Sequence, residues 1–337
     1  MPRGFMHHID RLLLDCEKKG LLFAPTTQSA IEACRRRVAQ GIVVEPFRGL
    51  FARDAYWETV KAAVKPYQII RTLSYAHPQW VFCSFSAACM HGLSVSTPLL
   101  RSVHIAVGPS THSGTSGRIV RHKIVRSRVR RIFGVPVTSF DETVVDCLRS
   151  ADFPSALAIA DSAVRTHRLT SSSLQNLVER HGARKQGASR ARRCAAYADA
   201  RSESGGESVA RARMIELGFA VPDLQVKLPN VLDRKRSFYV DYYWTLPDGK
   251  HIVGEMDGLE KYTMFTGSHA AAMKQQSARQ RALAALVRER QRESRLTAVC
   301  DGVVRFTYAD IMDDERFSSI LDAYSIPRVR EPRCPDS

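Results

Sequence analysis

The sequence predicts a multidomain protein of mixed α+β and α/β class. Its 337 residues have an ordinary globular composition, with 44% apolar and 25% charged side chains, and the apolar pattern alternates along the chain between the helical and the strand period. A chain of this length is expected to form two or three domains. We place an N-terminal unit at 1–57, a basic middle domain at 58–200, a C-terminal domain at 201–325 and a tail at 326–337.

Targeting features and cysteines favour a cytoplasmic protein without a membrane partner. No apolar run reaches the roughly 18–20 residues needed to span a bilayer, and the first residues lack the apolar core of a signal peptide. The eight cysteines are scattered and show no zinc-ligand spacing. We therefore expect reduced thiols.

The charge distribution is the first indication of function. The net charge is +16. Residues 1–200 contain 29 basic and 14 acidic side chains, whereas residues 201–337 contain 21 and 20. Such an excess attracts polyanions, of which nucleic acid is the usual one. DNA is the expected partner, although this argument holds equally for RNA, and a basic protein without such a partner is the alternative.

The N-terminal unit has the pattern of a winged helix-turn-helix. Apolar side chains recur at helical spacing from Ile9 to Cys16, Thr26-Thr27 is a plausible N-cap for a second helix through Gln40, and two short strands around a turn follow at 42–51. The second helix and the turn would present arginines to phosphates or bases. These candidate DNA contacts are Arg35, Arg36, Arg37 and Arg48. A solvated helix face is the alternative for the arginine run.

A second basic stretch lies in the middle domain. Residues 118–131 contain seven basic side chains and no acidic one, interleaved with apolar residues. This alternation predicts strands with one basic face that could follow a phosphate backbone, and a solvated sheet face is the alternative. The residues assigned to DNA contact here are Arg121, Lys123, Arg126 and Arg128.

The C-terminal domain contains a candidate metal site. Its pattern reads helix, strand, turn, strand, helix, strand, and Asp241 and Glu255 lie on two consecutive strands of a hairpin whose turn is 247–250. Glu255 and Asp257 share one face of their strand, and Glu207 opens the preceding helix. Converging carboxylates suit Mg²⁺ or Mn²⁺, which can activate water for phosphodiester hydrolysis. Acidic residues near turns are also commonly solvated, so spacing alone leaves both interpretations open.

Four blocks in the C-terminal domain form an ordered set of motifs: Ser204 to Ser208, Val240-Asp241, Gly254 to Tyr262 and Val304 to Asp310. Together they resemble a bacterial family of unknown function with a fold like the very-short-patch-repair endonucleases, within the PD-(D/E)XK nuclease superfamily. The resemblance implies a restriction-endonuclease-like fold and a metal site formed by Asp241 and Glu255, with Glu207 assisting. Superfamily members usually carry a lysine two residues after the glutamate. Asp257 stands there in this chain, so we expect Lys261 to supply the cation.

One segment departs from this family pattern. The helix after the glutamate motif usually carries several acids, whereas this chain has Gln276, Gln280 and Arg281 at the matching positions, and Arg279 alone fits. If those acids assist the metal or the water, their replacement puts the activity in doubt, whereas if they form only surface ion pairs, little is lost.

The front half contains a second set of motifs, at residues 38–51, 86–93 and 137–146. They are similar to the AbiEi-type antitoxins of type IV toxin–antitoxin systems. That resemblance implies a winged helix that binds promoter DNA, and a toxin as a possible partner.

Three functions follow from these observations. The first is a metal-dependent DNA endonuclease delivered by a basic winged-helix region. The second is an antitoxin-like transcriptional repressor whose nuclease fold is degenerate. The third is an interaction protein that holds a partner with its middle domain.

Overall fold

The structure, a computed structural model, describes residues 3–124, 128–230, 237–257 and 294–329. Its contacts divide the chain into two compact units, Met1–Cys147 and Leu148–Ser337. Both units combine helices with β-sheet, which confirms the mixed class. The predicted boundary at residue 200 lies inside the second unit.

The described residues also bear on membrane-spanning helices and on the state of the cysteines. Among the described residues, no helix is both long enough and apolar enough to cross a membrane. The cysteines in the described part of the chain are free, as predicted, and Cys334 lies outside it.

The first unit begins with helices and a ribbon in the predicted order: α1 (Arg3–Lys18), α2 (Gln28–Ala39), β1 (Val43–Phe47) and β2 (Leu50–Arg53). The Thr27 hydroxyl caps α2 by accepting the Ala30 N–H at 3.3 Å. β1 and β2 pair antiparallel, and Phe23 pairs with Phe51 as a further bridge. The winged-helix assignment stays a prediction, but its helices and ribbon are present.

A six-stranded mixed sheet forms the rest of this unit. Its elements are α3 (Asp54–Thr59), α4 (Lys65–Ala76), β3 (Val81–Phe82), α5 (Ser84–Met90), a 3₁₀-helix (Thr97–Arg101), β4 (Val103–Val107), β5 (Gly114–Ser116), β6 (Ile119–Lys123), β7 (Val129–Ile132), β8 (Val135–Thr138) and α6 (Phe140–Ser150). The strand order is β5-β6-β4-β3-β8-β7. Side chains from β3, β4 and β8 pack with those of α4 and α5 in one apolar core.

This strand order corrects the predicted single basic face. The basic stretch 118–131 contributes β6, next to one edge of the sheet, and β7 at the opposite edge, with β4, β3 and β8 between them. Arg121 and Lys123 therefore lie several strands away from Arg128. Alternation along the chain predicts strands but does not determine which strands become neighbours, and β6 pairs with β4 rather than with β7.

The second unit contains helices followed by a four-stranded sheet. The elements are α7 (Phe153–His167), α8 (Ser171–Gly182), α9 (Ala188–Tyr197), α10 (Gly205–Glu216), β9 (Asp223–Pro229), β10 (Ser237–Thr245), β11 (His251–Asp257), β12 (Gly302–Thr307), α11 (Tyr308–Ile311) and α12 (Asp314–Ala323). The strand order is β12-β11-β10-β9. The predicted β10–β11 hairpin is present, and β12 pairs parallel with β11. The helix predicted at about 268–290 lies outside the described residues.

Helix α10 is fixed from two sides. Its apolar residues pack with Tyr242, Trp244 and Phe306 of the sheet. On α7, Asp161 accepts two hydrogen bonds from Arg211 of α10, each at 2.8 Å, and both side chains are buried. This buried ion pair orients the two helices, because removing one partner would leave an unpaired buried charge.

Candidate active site and nucleic-acid interface

The β10–β11 hairpin brings the two predicted metal ligands together. Tyr242 lies opposite Gly254 in the last pair of the antiparallel register, and Asp241 and Glu255 are the residues directly beyond this pair on their strands. The Asp241 Oδ2 accepts the backbone N–H of Met256 at 3.0 Å. Asp241 is half-buried and Glu255 is 5% exposed. The carboxylates thus occupy neighbouring positions on adjacent strands.

An irregularity in β9 and β10 coincides with Asp241. Gln225, on β9, has a φ of +51°, and its Nε2 donates to Asp241 Oδ1 at 3.4 Å. Val240 packs in one apolar cluster with Val253, whereas Tyr242 packs in the other main cluster of the sheet. Side chains two apart on a regular strand share a face. The strand therefore changes face at Asp241, which a period of two could not predict.

Glu207 is held near Asp241 by the start of α10. Its backbone N–H donates to the Ser204 hydroxyl at 3.2 Å, and its Oε2 accepts the Glu203 N–H at 2.8 Å. The Tyr242 hydroxyl donates to the Glu207 carbonyl at 2.9 Å, which ties α10 to β10. Burial raises the pKa of Glu207, and the negative charge of Asp241 raises it further against the opposing hydrogen bonds.

Arg305 is a site residue that the sequence analysis missed. It lies on β12 directly beside Glu255 in the parallel register, and its Nη2 is 3.4 Å from Asp257 Oδ1. An arginine between the apolar Val304 and Phe306 looks like an ordinary solvent-facing strand residue. The sequence signal that could have indicated Arg305 was its position in the last of the four motifs, Val304 to Asp310. The other expected cation, Lys261, lies outside the described residues.

The acidic site is suited to a metal ion only with water among the ligands. In the described residues, no three His, Cys, Asp or Glu side chains converge to hold a metal ion. Mg²⁺ usually keeps several waters and takes one or two carboxylates. Asp241 and Glu255 fit that smaller donor set, and Glu207 is a nearby third carboxyl.

The arginines of the N-terminal unit divide into exposed and buried groups. Arg35 and Arg36 are exposed on α2, and Arg48 is exposed at the turn between β1 and β2. Arg37 is 3% exposed, and its Nη2 lies 3.1 Å from Asp10 Oδ1 on α1. Consecutive helix residues differ by about 100° in direction, so three in a row cannot share one face. We therefore correct the predicted DNA-contact set by removing Arg37, which joins α1 to α2 instead.

The basic side chains of the six-stranded sheet are more dispersed. Arg121 is half-buried and Lys123 is exposed, both on β6. Arg128 is exposed just before β7, where its backbone N–H donates to Glu142 Oε2 at 3.3 Å. Arg126 lies outside the described residues.

Comparison with known proteins finds two similar sequences, both from Mycobacterium tuberculosis. No family model matches the chain. It is 29% identical over 180 residues to "Uncharacterized protein Rv2248" of Mycobacterium tuberculosis strain ATCC 25618 / H37Rv. The same identity and length hold for "Uncharacterized protein MT2308" of strain CDC 1551 / Oshkosh. Each match includes 53% of this chain and spans 63% of the relative's length. Neither name states an activity.

Proposed function

We propose that this protein binds DNA and hydrolyses phosphodiester bonds with the help of Mg²⁺ or Mn²⁺. One observation carries the proposal. Asp241, held by the Met256 N–H, and Glu255 lie directly beyond the last pair of the hairpin register, and burial together with the charge of nearby Asp241 raises the pKa of Glu207. Two carboxylates on adjacent strands, with a third carboxyl near Asp241, are the small donor set that a hydrated Mg²⁺ takes, and a metal ion held there would assist hydrolysis.

The proposed roles follow from the environments of the side chains. Asp241 and Glu255 would hold the metal ion, which supplies an activated water and neutralises charge on the phosphate. Glu207 is suited to exchange a proton, because a raised pKa brings a carboxyl closer to neutral pH. Arg305 keeps Asp257 paired at the edge of the site. Lys261 as the cation that steadies the attacking water stays part of the proposal through the family resemblance alone.

Charge supports delivery of DNA by the first unit. Residues 1–147 contain 20 basic and 10 acidic side chains, a net of +10. Exposed Arg35 and Arg36 on α2 and exposed Arg48 on the ribbon offer guanidinium groups to phosphates. The excess positive charge would hold DNA by a sequence-independent attraction.

A second candidate function is an AbiEi-type antitoxin and transcriptional repressor with an inactive site, with a toxin as its possible partner. It is favoured by the state of Asp241, whose two oxygens accept hydrogen bonds from Met256 and Gln225. Gln276, Gln280 and Arg281 replace acids of the family that the chain resembles, and this replacement also favours an inactive site.

Plasmid cleavage separates the two functions. Purified protein is incubated with supercoiled plasmid and Mg²⁺, Mn²⁺ or EDTA, beside Asp241→Asn. We expect metal-dependent nicking that Asp241→Asn reduces by more than about 100-fold, since even residues that only support metal ligands cost 10–100-fold. Asp248→Asn is the matched control, because Asp248 is exposed in the turn of the same hairpin. It should cleave like the wild type.

The outcomes are distinct. Cleavage that survives in a folded Asp241→Asn variant would contradict the proposed site. No cleavage by the wild type, together with a salt-sensitive gel shift, would favour the repressor.

A further inference from the structure

The turn between β7 and β8 has an unusual residue at its tip. Ile132 pairs with Val135, so Phe133 and Gly134 form a two-residue hairpin turn. Both have positive φ angles, +48° and +82°. Such turns strongly favour Asn-Gly or Gly-Gly, because a bulky residue at positive φ is strained by about 1–3 kcal/mol. Folding stability alone therefore does not favour phenylalanine at residue 133.

Burial does not compensate for this strain. The Phe133 side chain is 75% exposed, the highest value among the exposed large apolar residues of the described chain. Its ring stands edge-on to Tyr67 of α4, with centroids 6.2 Å apart. A phenyl ring gains hydrophobic free energy in proportion to the area removed from water, and here most of that area stays in water. The hairpin turn therefore presents the ring outward.

Cationic side chains lie on the segments next to this exposed ring. β7 is an edge strand of the sheet, Arg130 and Arg131 are exposed on it, and Arg128 is exposed just before it. Arg131 donates to the Gly134 carbonyl at 3.0 Å and so supports the turn. The Arg71 guanidinium lies 5.6 Å from the centroid of the Tyr67 ring. We call β7, the turn and β8 the Phe133 hairpin.

The combination of charge and ring selects one class of partner. Arginines along an edge strand oppose the addition of another protein strand and attract phosphates. An exposed ring beside them is a stacking platform for a base. Bases inside a duplex are already stacked on both faces, whereas an unpaired base offers a free face. We propose that the Phe133 hairpin binds an unpaired nucleic-acid segment, with Phe133 stacked on a base and Arg130 contacting the adjoining phosphate. This rests on the nucleic-acid binding of the proposed function and extends it to single strands.

The test compares three labelled probes of one sequence with the full-length protein, by fluorescence anisotropy: single-stranded DNA, single-stranded RNA and the DNA duplex. Phe133→Asn should weaken single-strand binding about 5- to 100-fold, the factor associated with one stacked base, and change duplex binding less than twofold. Phe133→Trp should retain single-strand affinity. The single-stranded probe, DNA or RNA, for which Phe133→Asn loses more affinity is the kind of strand that the hairpin binds.

Asparagine is chosen at residue 133 so that a loss of affinity cannot be attributed to a loss of folding. It suits the positive φ at residue 133, so Phe133→Asn should unfold at the wild-type temperature or above. Tyr75→Asn is the matched control, because Tyr75 is 65% exposed at the end of α4. It should leave single-strand affinity unchanged.

Different failures have different meanings. If the wild type binds the duplex and Phe133→Asn binds single strands as tightly as the wild type does, the inference fails and the proposed function stands. An equal loss for Tyr75→Asn, or an equal loss on the duplex, also overturns the inference. If the wild type binds none of the probes, the proposed function fails with it.

Discussion

His104 illustrates how burial changes the chemistry of a single residue. It lies on β4, 8% exposed, with its Nδ1 2.8 Å from the Nε2 of His122 on β6. Its backbone N–H donates to the Ser86 hydroxyl, and its ring packs edge-on to Phe85. Burial lowers the pKa of His104 to about 4, and the charge of His122 contributes in the same direction. Burial also lowers the pKa of His122, against the opposing charge of Asp146 on α6.

The His104 pKa predicts a specific pH dependence of stability. The unfolded imidazole binds a proton near pH 6.5, whereas the folded one binds it at about 4. The stability that depends on neutral His104 is therefore complete above pH 6.5 and is lost as the pH falls from 6.5 to 4, by up to roughly 3 kcal/mol. Urea denaturation at pH 7, 5.5 and 4.5 measures this loss. His104→Gln should flatten the curve.

The control is His112→Gln, since His112 is exposed in the loop before β5. It should show the wild-type pH dependence. If His104→Gln loses stability with falling pH as steeply as the wild type, protonation of His104 is not the cause.

The residues of α2 show what sequence could and could not reveal at this scale. Ala30, Ala33 and Cys34 form the buried stripe of the helix. Arg37 is the next position of that stripe, three residues after Cys34, so helical spacing could have predicted its burial. Spacing alone could not reveal Arg305, which only its place in the last motif marked, because its relation to Glu255 depends on the parallel pairing of β12 with β11.

Helix α9 shows how one element depends on a close approach of backbone. Gly187, its N-cap, has a φ of +81°, and an added Cβ would lie 2.3 Å from the Arg149 carbonyl oxygen at the end of α6. Arg190 of α9 donates to that carbonyl at 3.2 Å and to the Ala151 carbonyl at 3.0 Å. The helix is thus attached at a point where only glycine fits.

Gly187→Ala should therefore destabilise the protein strongly. We expect a loss of more than about 2 kcal/mol, since a clash with backbone adds to the strain of a positive φ. The matched control is Gly249→Ala, because Gly249 has a φ of +86° and nothing within 4 Å of the added Cβ. It should lose only about 1 kcal/mol. Equal losses in thermal or urea unfolding would show that the close approach to Arg149 does not matter.

The elements themselves were more predictable than their arrangement. The Thr27 cap and the hairpin turn at 247–250 are local signals, and the structure contains the helix and the two strands that they predict. The neighbours of β6 and β7 are set by contacts between distant parts of the chain, which no local pattern encodes. The change of face at Asp241 coincides with the positive φ of Gln225 on a different strand.

At the scale of the whole molecule, charge is the property with the clearest consequence. Residues 1–147 carry a net charge of +10, and residues 148–337, with 30 basic and 24 acidic side chains, carry +6. A protein that neutralises phosphates releases counterions from DNA, so its affinity falls linearly with salt on a double logarithmic scale. The slope of that line counts the phosphate contacts, at about 0.9 per contact.

The slope tests whether the exposed arginines of α2 contact DNA. Replacing both Arg35 and Arg36 by alanine keeps α2 helical, because alanine is the best helix former. If each arginine contacts one phosphate, the slope for duplex DNA should fall by about 2 between 50 and 200 mM salt. Arg180→Ala with Arg184→Ala is the matched control, since both side chains are exposed in the second unit and the charge change is the same. A net-charge effect would lower the slope equally in both double variants and would contradict the assignment. A fall confined to the Arg35 and Arg36 variant would localise DNA contact to α2, whatever the chemistry at Asp241.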